Sequence, residues 1–66
     1  MIEGYDDFDH VLVSKYNHRG QVVNIYQVKP LQFCFYAQIQ FFGQPKVSPP
    51  LKSKASCRAW VDEQFN

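Results

Sequence analysis

The sequence predicts an α+β fold: a three-stranded antiparallel sheet with one C-terminal helix packed on one face, in the order β-β-β-α. Three observations predict it. Residues 11–16 and 21–28 are short runs rich in β-branched side chains, joined by a turn sequence. Residues 33–42 alternate with a period of two. Residues 54–65 set Cys57, Val61 and Phe65 four apart with Trp60 beside them, which is one apolar stripe on a helix. With 66 residues in all, the chain is expected to bury only about 60% of the surface its unfolded form exposes, so its core is thin.

Taken in order, residues 1–10 read as an acidic arm and residues 11–66 as a single domain. The arm's Tyr5 and Phe8 are expected to pack on the body while Asp6, Asp7 and Asp9 stay in water. Asn17-His18-Arg19-Gly20 is the hairpin turn, because Asn and Gly tolerate the positive φ a tight turn needs. Lys29-Pro30 ends the second strand, since proline cannot donate to a ladder. In the third strand one parity is Phe33, Phe35, Ala37, Ile39 and Phe41, wholly apolar and hence core-facing. The other is Cys34, Tyr36, Gln38, Gln40 and Phe42, a wet and adhesive face that a single helix leaves uncovered. Gly43-Gln44-Pro45 reads as the strand's end and residues 46–50 as a loop. Ser53 is the expected N-cap, its hydroxyl accepting from the Ser56 amide. Lys54 in the first turn opposes the helix dipole. Arg58 and Asp62 make an outer i,i+4 pair.

The formal net charge of +1 is a cancellation of seven basic and six acidic residues. Every acid lies near an end: Glu3, Asp6, Asp7 and Asp9, then Asp62 and Glu63. Residues 10–61 hold no acid and carry Lys15, Arg19, Lys29, Lys46, Lys52, Lys54 and Arg58. No apolar run approaches the roughly 20 residues of a membrane span. The acidic start does not read as a secretory leader, and two cysteines are too few for a disulfide scaffold, so a cytoplasmic protein with two inert thiols is expected.

Little in the chain points to catalysis. No glycine-rich phosphate loop or nucleophile elbow is present. Cys34, Cys57, His10 and His18 lack the paired spacing of a zinc site, and the Asp6, Asp7 and Asp9 cluster lacks the glycine and distal Glu of a calcium loop. Cys34, flanked by aromatic residues, has none of the basic neighbours that activate a thiol nucleophile. No enzyme activity, cofactor, metal or small-molecule substrate is expected.

Leu51-Lys52-Ser53-Lys54-Ala55-Ser56-Cys57-Arg58-Ala59-Trp60-Val61-Asp62 resembles the closing helix of tiny bacterial and phage β-β-β-α domains, which reads hydrophobe-x-Ser-x-x-x-Ala-x-x-Trp-Ile-Asp. Cys57 stands where alanine is usual and Val61 where isoleucine is usual. With the strand, the Gly-containing break and Ser48-Pro49 before it, residues 33–64 look like the bacterial cell-division activator family, CedA. That resemblance implies a sheet-and-helix module that binds double-stranded DNA.

Two functions from different classes follow. In the first, a small regulatory protein contacts double-stranded DNA or a nucleoprotein complex. Lys52, Lys54 and Arg58 at the helix start, with Arg19 on the hairpin tip and Lys46, would bind phosphate, since phosphates draw Lys and Arg and release counterions. In the second, a phage-type inhibitor or adaptor docks on a host protein complex (RNA polymerase, a nuclease or a defence complex) through Tyr26, Tyr36, Gln38, Gln40 and Phe42, because interface cores favour aromatics. The sheet's edges also allow a homodimer by strand pairing.

Overall fold

The computed structural model of the chain describes residues 4–41 and 43–65; the side chain of Phe41 and the whole of Phe42 lie outside what is described. Strands β1 (Asp9–His18), β2 (Gln21–Lys29), β3 (Phe35–Phe41) and β4 (Gln44–Val47) precede helix α1 (Lys54–Gln64). The strands pair antiparallel in the order β1-β2-β3-β4. The fold is therefore α+β with the helix on one face of an antiparallel sheet, and the strand number is corrected from three to four.

The extra strand hid behind Pro45. Val28 donates its N–H to Cys34 C=O at 2.9 Å, so even-numbered β3 residues turn toward β2. Odd-numbered ones turn toward β4, as Ala37 does in accepting the Ser48 N–H at 2.9 Å. Pro45 lies opposite Gln40. Its nitrogen thus faces away from the ladder, the one strand position where proline loses nothing. Beyond β4 the chain keeps pairing with β3, with the register shifting by one residue between Ser48 and Leu51. The Ser48 hydroxyl accepts from Ala37 N–H and donates to Pro49 C=O, both at 2.9 Å. Leu51 and Phe35 then exchange backbone hydrogen bonds of 2.7 and 2.8 Å.

The helix lies over β3 and β2. Val23, Ile25, Ala37, Ile39, Cys57 and Val61 form the buried core between them, ringed by Val13, Tyr16, Phe35, Leu51, Trp60 and Phe65. The alternation in β3 thus holds for Ala37 and Ile39. It fails for Phe33, which is 70% exposed because β3 begins only at Phe35. Ser53 caps the helix as expected, accepting from Ser56 N–H at 3.1 Å.

The far face of the sheet is only half open, which corrects the expectation of an uncovered face. Val28, Cys34 and Tyr36 are buried there beneath Tyr5, Phe8, Leu31 and Val47. The Tyr5 and Phe8 rings pack at 5.7 Å while Asp6 and Asp7 remain exposed.

Two irregularities in β1 matter later. A register shift between Leu12 and Ser14 leaves Val13 as an extra, bulged residue. At the hairpin end, Arg19 (φ 51°) and Gly20 (φ 83°) are both left-handed, as a two-residue hairpin demands. Asn17 Oδ1 fixes this turn by accepting the Gly20 N–H at 3.0 Å.

The buried Ser48 hydroxyl replaces a strand partner, whereas the Ser53 cap is solvent-facing. Ser48→Ala is expected to cost about 1–3 kcal/mol and Ser53→Ala about 1 kcal/mol. Urea unfolding followed by circular dichroism should return them in that order.

Candidate binding surfaces

The helix surface is built from its N-terminus outward. Ser53 satisfies one of the free amides of the first turn, and no acid occupies that turn. Lys54 and Arg58 are exposed on this half of the helix and Lys52 is exposed just before it, with Ala55 and Ala59 also exposed on the helix. Asp62 and Glu63 are exposed on the other half. The helix is thus basic where its dipole is positive and acidic where its dipole is negative, the reverse of what its own stability favours. Arg58 is held in place: its Cζ lies 5.2 Å from the centroid of the Tyr16 ring on β1. Burial raises the Tyr16 phenol above its ordinary value, against the lowering pull of Arg58.

The remaining predicted phosphate ligands do not join this row. Arg19 Nη1 donates to Phe65 C=O at 2.7 Å, which ties the hairpin tip to the far end of the helix. Its cation there meets the carbonyl end of the helix dipole. His18 beside it stacks on Phe65 with centroids 5.1 Å apart. The Asp62 carboxylate lies 3.5 Å from His18 Nε2 rather than beside the expected Arg58. Lys46 is exposed on β4, opposite Ile39 and so on the helix side of the sheet.

The predicted docking residues divide in a different way. Tyr36 is 2% exposed and serves the interior. Its hydroxyl lies 2.8 Å from His10 Nδ1, its ring stacks on Tyr26 at 5.2 Å, and His10 Nε2 reaches Tyr5 C=O at 2.8 Å. A carbonyl only accepts, so Nε2 carries a proton and donates. Burial, and after it the neighbouring Tyr26, raises the Tyr36 phenol, which keeps it protonated. His10 is therefore the latch that holds the arm on the sheet, a role sequence spacing did not suggest. Tyr26 and Gln38 are half-buried and Gln40 is exposed. They lie on the open half of the far face with Leu12, Lys15, Asn17, Val22 and Asn24, and Asn24 Oδ1 is buried without a partner. Phe42 is outside the described residues.

Neither thiol is set up for chemistry. Cys34 and Cys57 are both buried and free. Burial pushes the Cys57 thiol from an ordinary 9.0 to about 11. Among the described residues no three His, Cys, Asp or Glu side chains converge as a metal site, and no helix is long and apolar enough to cross a membrane.

His10→Ala removes both hydrogen bonds of the His10 ring, leaving the arm held by Tyr5 and Phe8 packing alone. Limited proteolysis should then cut residues 4–8 at least several-fold faster, while the helical circular dichroism signal persists. For Cys57, the raised native pKa means that the protonated thiol stabilises the fold below pH 9. That contribution is lost as pH climbs from 9.0 through about 11, so a Cys57→Ala variant should lose less of its melting temperature over that window than the parent.

Comparison with protein-family models, curated proteins and solved structures returns no match, so the reading of these surfaces rests on their own geometry.

Proposed function

We propose that this protein is a small, non-enzymatic regulatory binding protein that contacts double-stranded DNA or a nucleoprotein complex through the basic half of its helix. The single observation that carries the reading is the row Lys52, Lys54 and Arg58, exposed at the end of the helix where free amides and the dipole already favour an anion. The small exposed Ala55 and Ala59 side chains beside the cations leave room for a phosphate backbone to approach closely. The arm does not screen this row, because Tyr5 and Phe8 hold it on the opposite face of the sheet. The resemblance of residues 51–62 to the helix of bacterial β-β-β-α domains points the same way.

A second reading draws on the open half of the far face. Val22 is 44% exposed there beside Gln38 and Gln40. An apolar side chain among amides suits a protein partner of the inhibitor or adaptor kind.

Fluorescence anisotropy with a duplex oligonucleotide separates the two. Binding should weaken steeply with salt, in proportion to the phosphates neutralised. Lys54→Glu should flatten that slope and weaken binding at least about tenfold, yet leave the fold equal or slightly more stable, because an acid in the first turn suits the dipole. Absence of duplex binding even at low salt would remove the first reading. Loss of a captured host protein on Gln40→Ala or Val22→Asp would support the second.

A further inference from the structure

Among the described residues no strand pairs with the outer edge of β1, and the shape of that edge specifies a partner. Strand β1 has ten residues and flanks the sheet on one side, with the four-residue β4 flanking the other. Val11 and Leu12, 37% and 49% exposed, both lie on β1.

The backbone parity of this edge follows from observed bonds. Val28 uses its N–H toward β3, so even-numbered β2 residues bond β3 and odd-numbered ones bond β1. Through the β1–β2 register, Asp9, Val11, Ser14, Tyr16 and His18 then turn their backbone groups inward. His10, Leu12, Lys15 and Asn17 turn theirs outward. The same four are opposite Val28, Tyr26, Asn24 and Val22, so their side chains share the far face.

From this pattern we infer that β1 pairs antiparallel with β1 of a second copy along its full length, with the two-fold axis between Val13 and Ser14. The bulge is what makes this register work. In a regular ten-residue strand, full antiparallel overlap sets every outward residue against an inward one, because the paired numbers differ in parity. The extra residue at Val13 shifts the second half by one. His10 then faces Asn17 of the second copy and Leu12 faces Lys15, outward against outward and far face against far face. Inward residues also match: Asp9 faces His18 and Val11 faces Tyr16, while the bulged Val13 lies against Ser14 at the axis.

The side chains agree with the backbone. Asp9 meets an imidazole at each end of the ladder, Leu12 lies along the aliphatic stem of Lys15, and no two cations oppose each other. Sliding the strands by two residues would set His10 against Lys15. Bulges ordinarily blunt an edge against strange strands; here the partner must carry the same bulge, which favours a second copy over an unrelated peptide. The other edge is short and interrupted by Pro45, so the assembly closes at two rather than growing.

This inference stands apart from the nucleic-acid reading, and its test needs no DNA. Sedimentation velocity on the intact chain should give a mass of two 7.8 kDa chains. Amide exchange of the parent protein should protect His10, Leu12, Lys15 and Asn17 in a concentration-dependent way, while the inward amides stay protected throughout. Leu12→Lys sets two lysines against each other and should raise the dimer dissociation constant at least about tenfold. Adding Lys15→Glu should restore the dimer. A monomer at about millimolar concentration, or a dimer whose four outward amides exchange freely, would overturn the inference. A dimer unaffected by Leu12→Lys would overturn the register.

Discussion

One helix must cover a four-stranded sheet, and it cannot. An eleven-residue helix is about 16 Å long and about 10 Å wide, whereas four strands at about 4.8 Å spacing span about 19 Å. The helix settles over β3 and β2, where Ala37 lets Cys57 and Val61 come close. Much of what the helix leaves uncovered is closed by side chains from the periphery. Tyr16, with Arg58 above it, roofs the β1 side of the core. Arg19 and His18 clamp the hairpin tip to the last helical turn. On the far face, where no helix exists, the turn at residues 5–8 supplies the cover and His10 anchors it.

These closures also sort the charge. The exposed Asp6 and Asp7 ride on a turn glued to the far face, while Lys52, Lys54 and Arg58 line the helix on the near face. A sheet and its packed layers put roughly 10 Å or more between them, about one screening length at physiological salt. Asp6 and Asp7 are therefore displaced behind the sheet, and Asp62 and Glu63 to the far end of the helix, so neither pair neutralises the basic row. Net charge understates the field an approaching polyanion meets at Lys54.

The parts of this arrangement that depend on local periodicity were legible in the sequence. Ala37 and Ile39 follow from alternation, Cys57 and Val61 from helical spacing, and the Ser53 cap from its position before the stripe. The basic row could be read because helical neighbours in sequence are neighbours in space. What could not be read depends on long-range placement. Pro45 signals a break unless its nitrogen is known to face outward. Tyr36 looks like a surface aromatic unless Tyr5 and Phe8, some thirty residues earlier, are known to fold over it. Lys15 stayed out of the candidate site because the Val13 bulge changes which face it shares, and a bulge leaves no mark in a run of alternating valine and leucine.

That bulge also links the two surfaces. In the inferred dimer, a two-fold axis perpendicular to the sheet would keep both helices on one face, running in opposite directions. Arg58 stands over Tyr16, and Tyr16 in the paired strands lies across from Val11, five residues along the chain. At about 3.3 Å per residue the two arginines sit about 17 Å apart along the strand direction, one on each side of the axis. Two identical basic rows related by a two-fold match the symmetry of a duplex, whose strands are themselves antiparallel. Because Arg58 is held by an aromatic ring of the strand that forms the dimer edge, pairing at β1 fixes the spacing of the cations as well as their number. In the inferred dimer, the paired edge and the ring-anchored arginines would together present a two-fold positive surface that one copy of 66 residues does not.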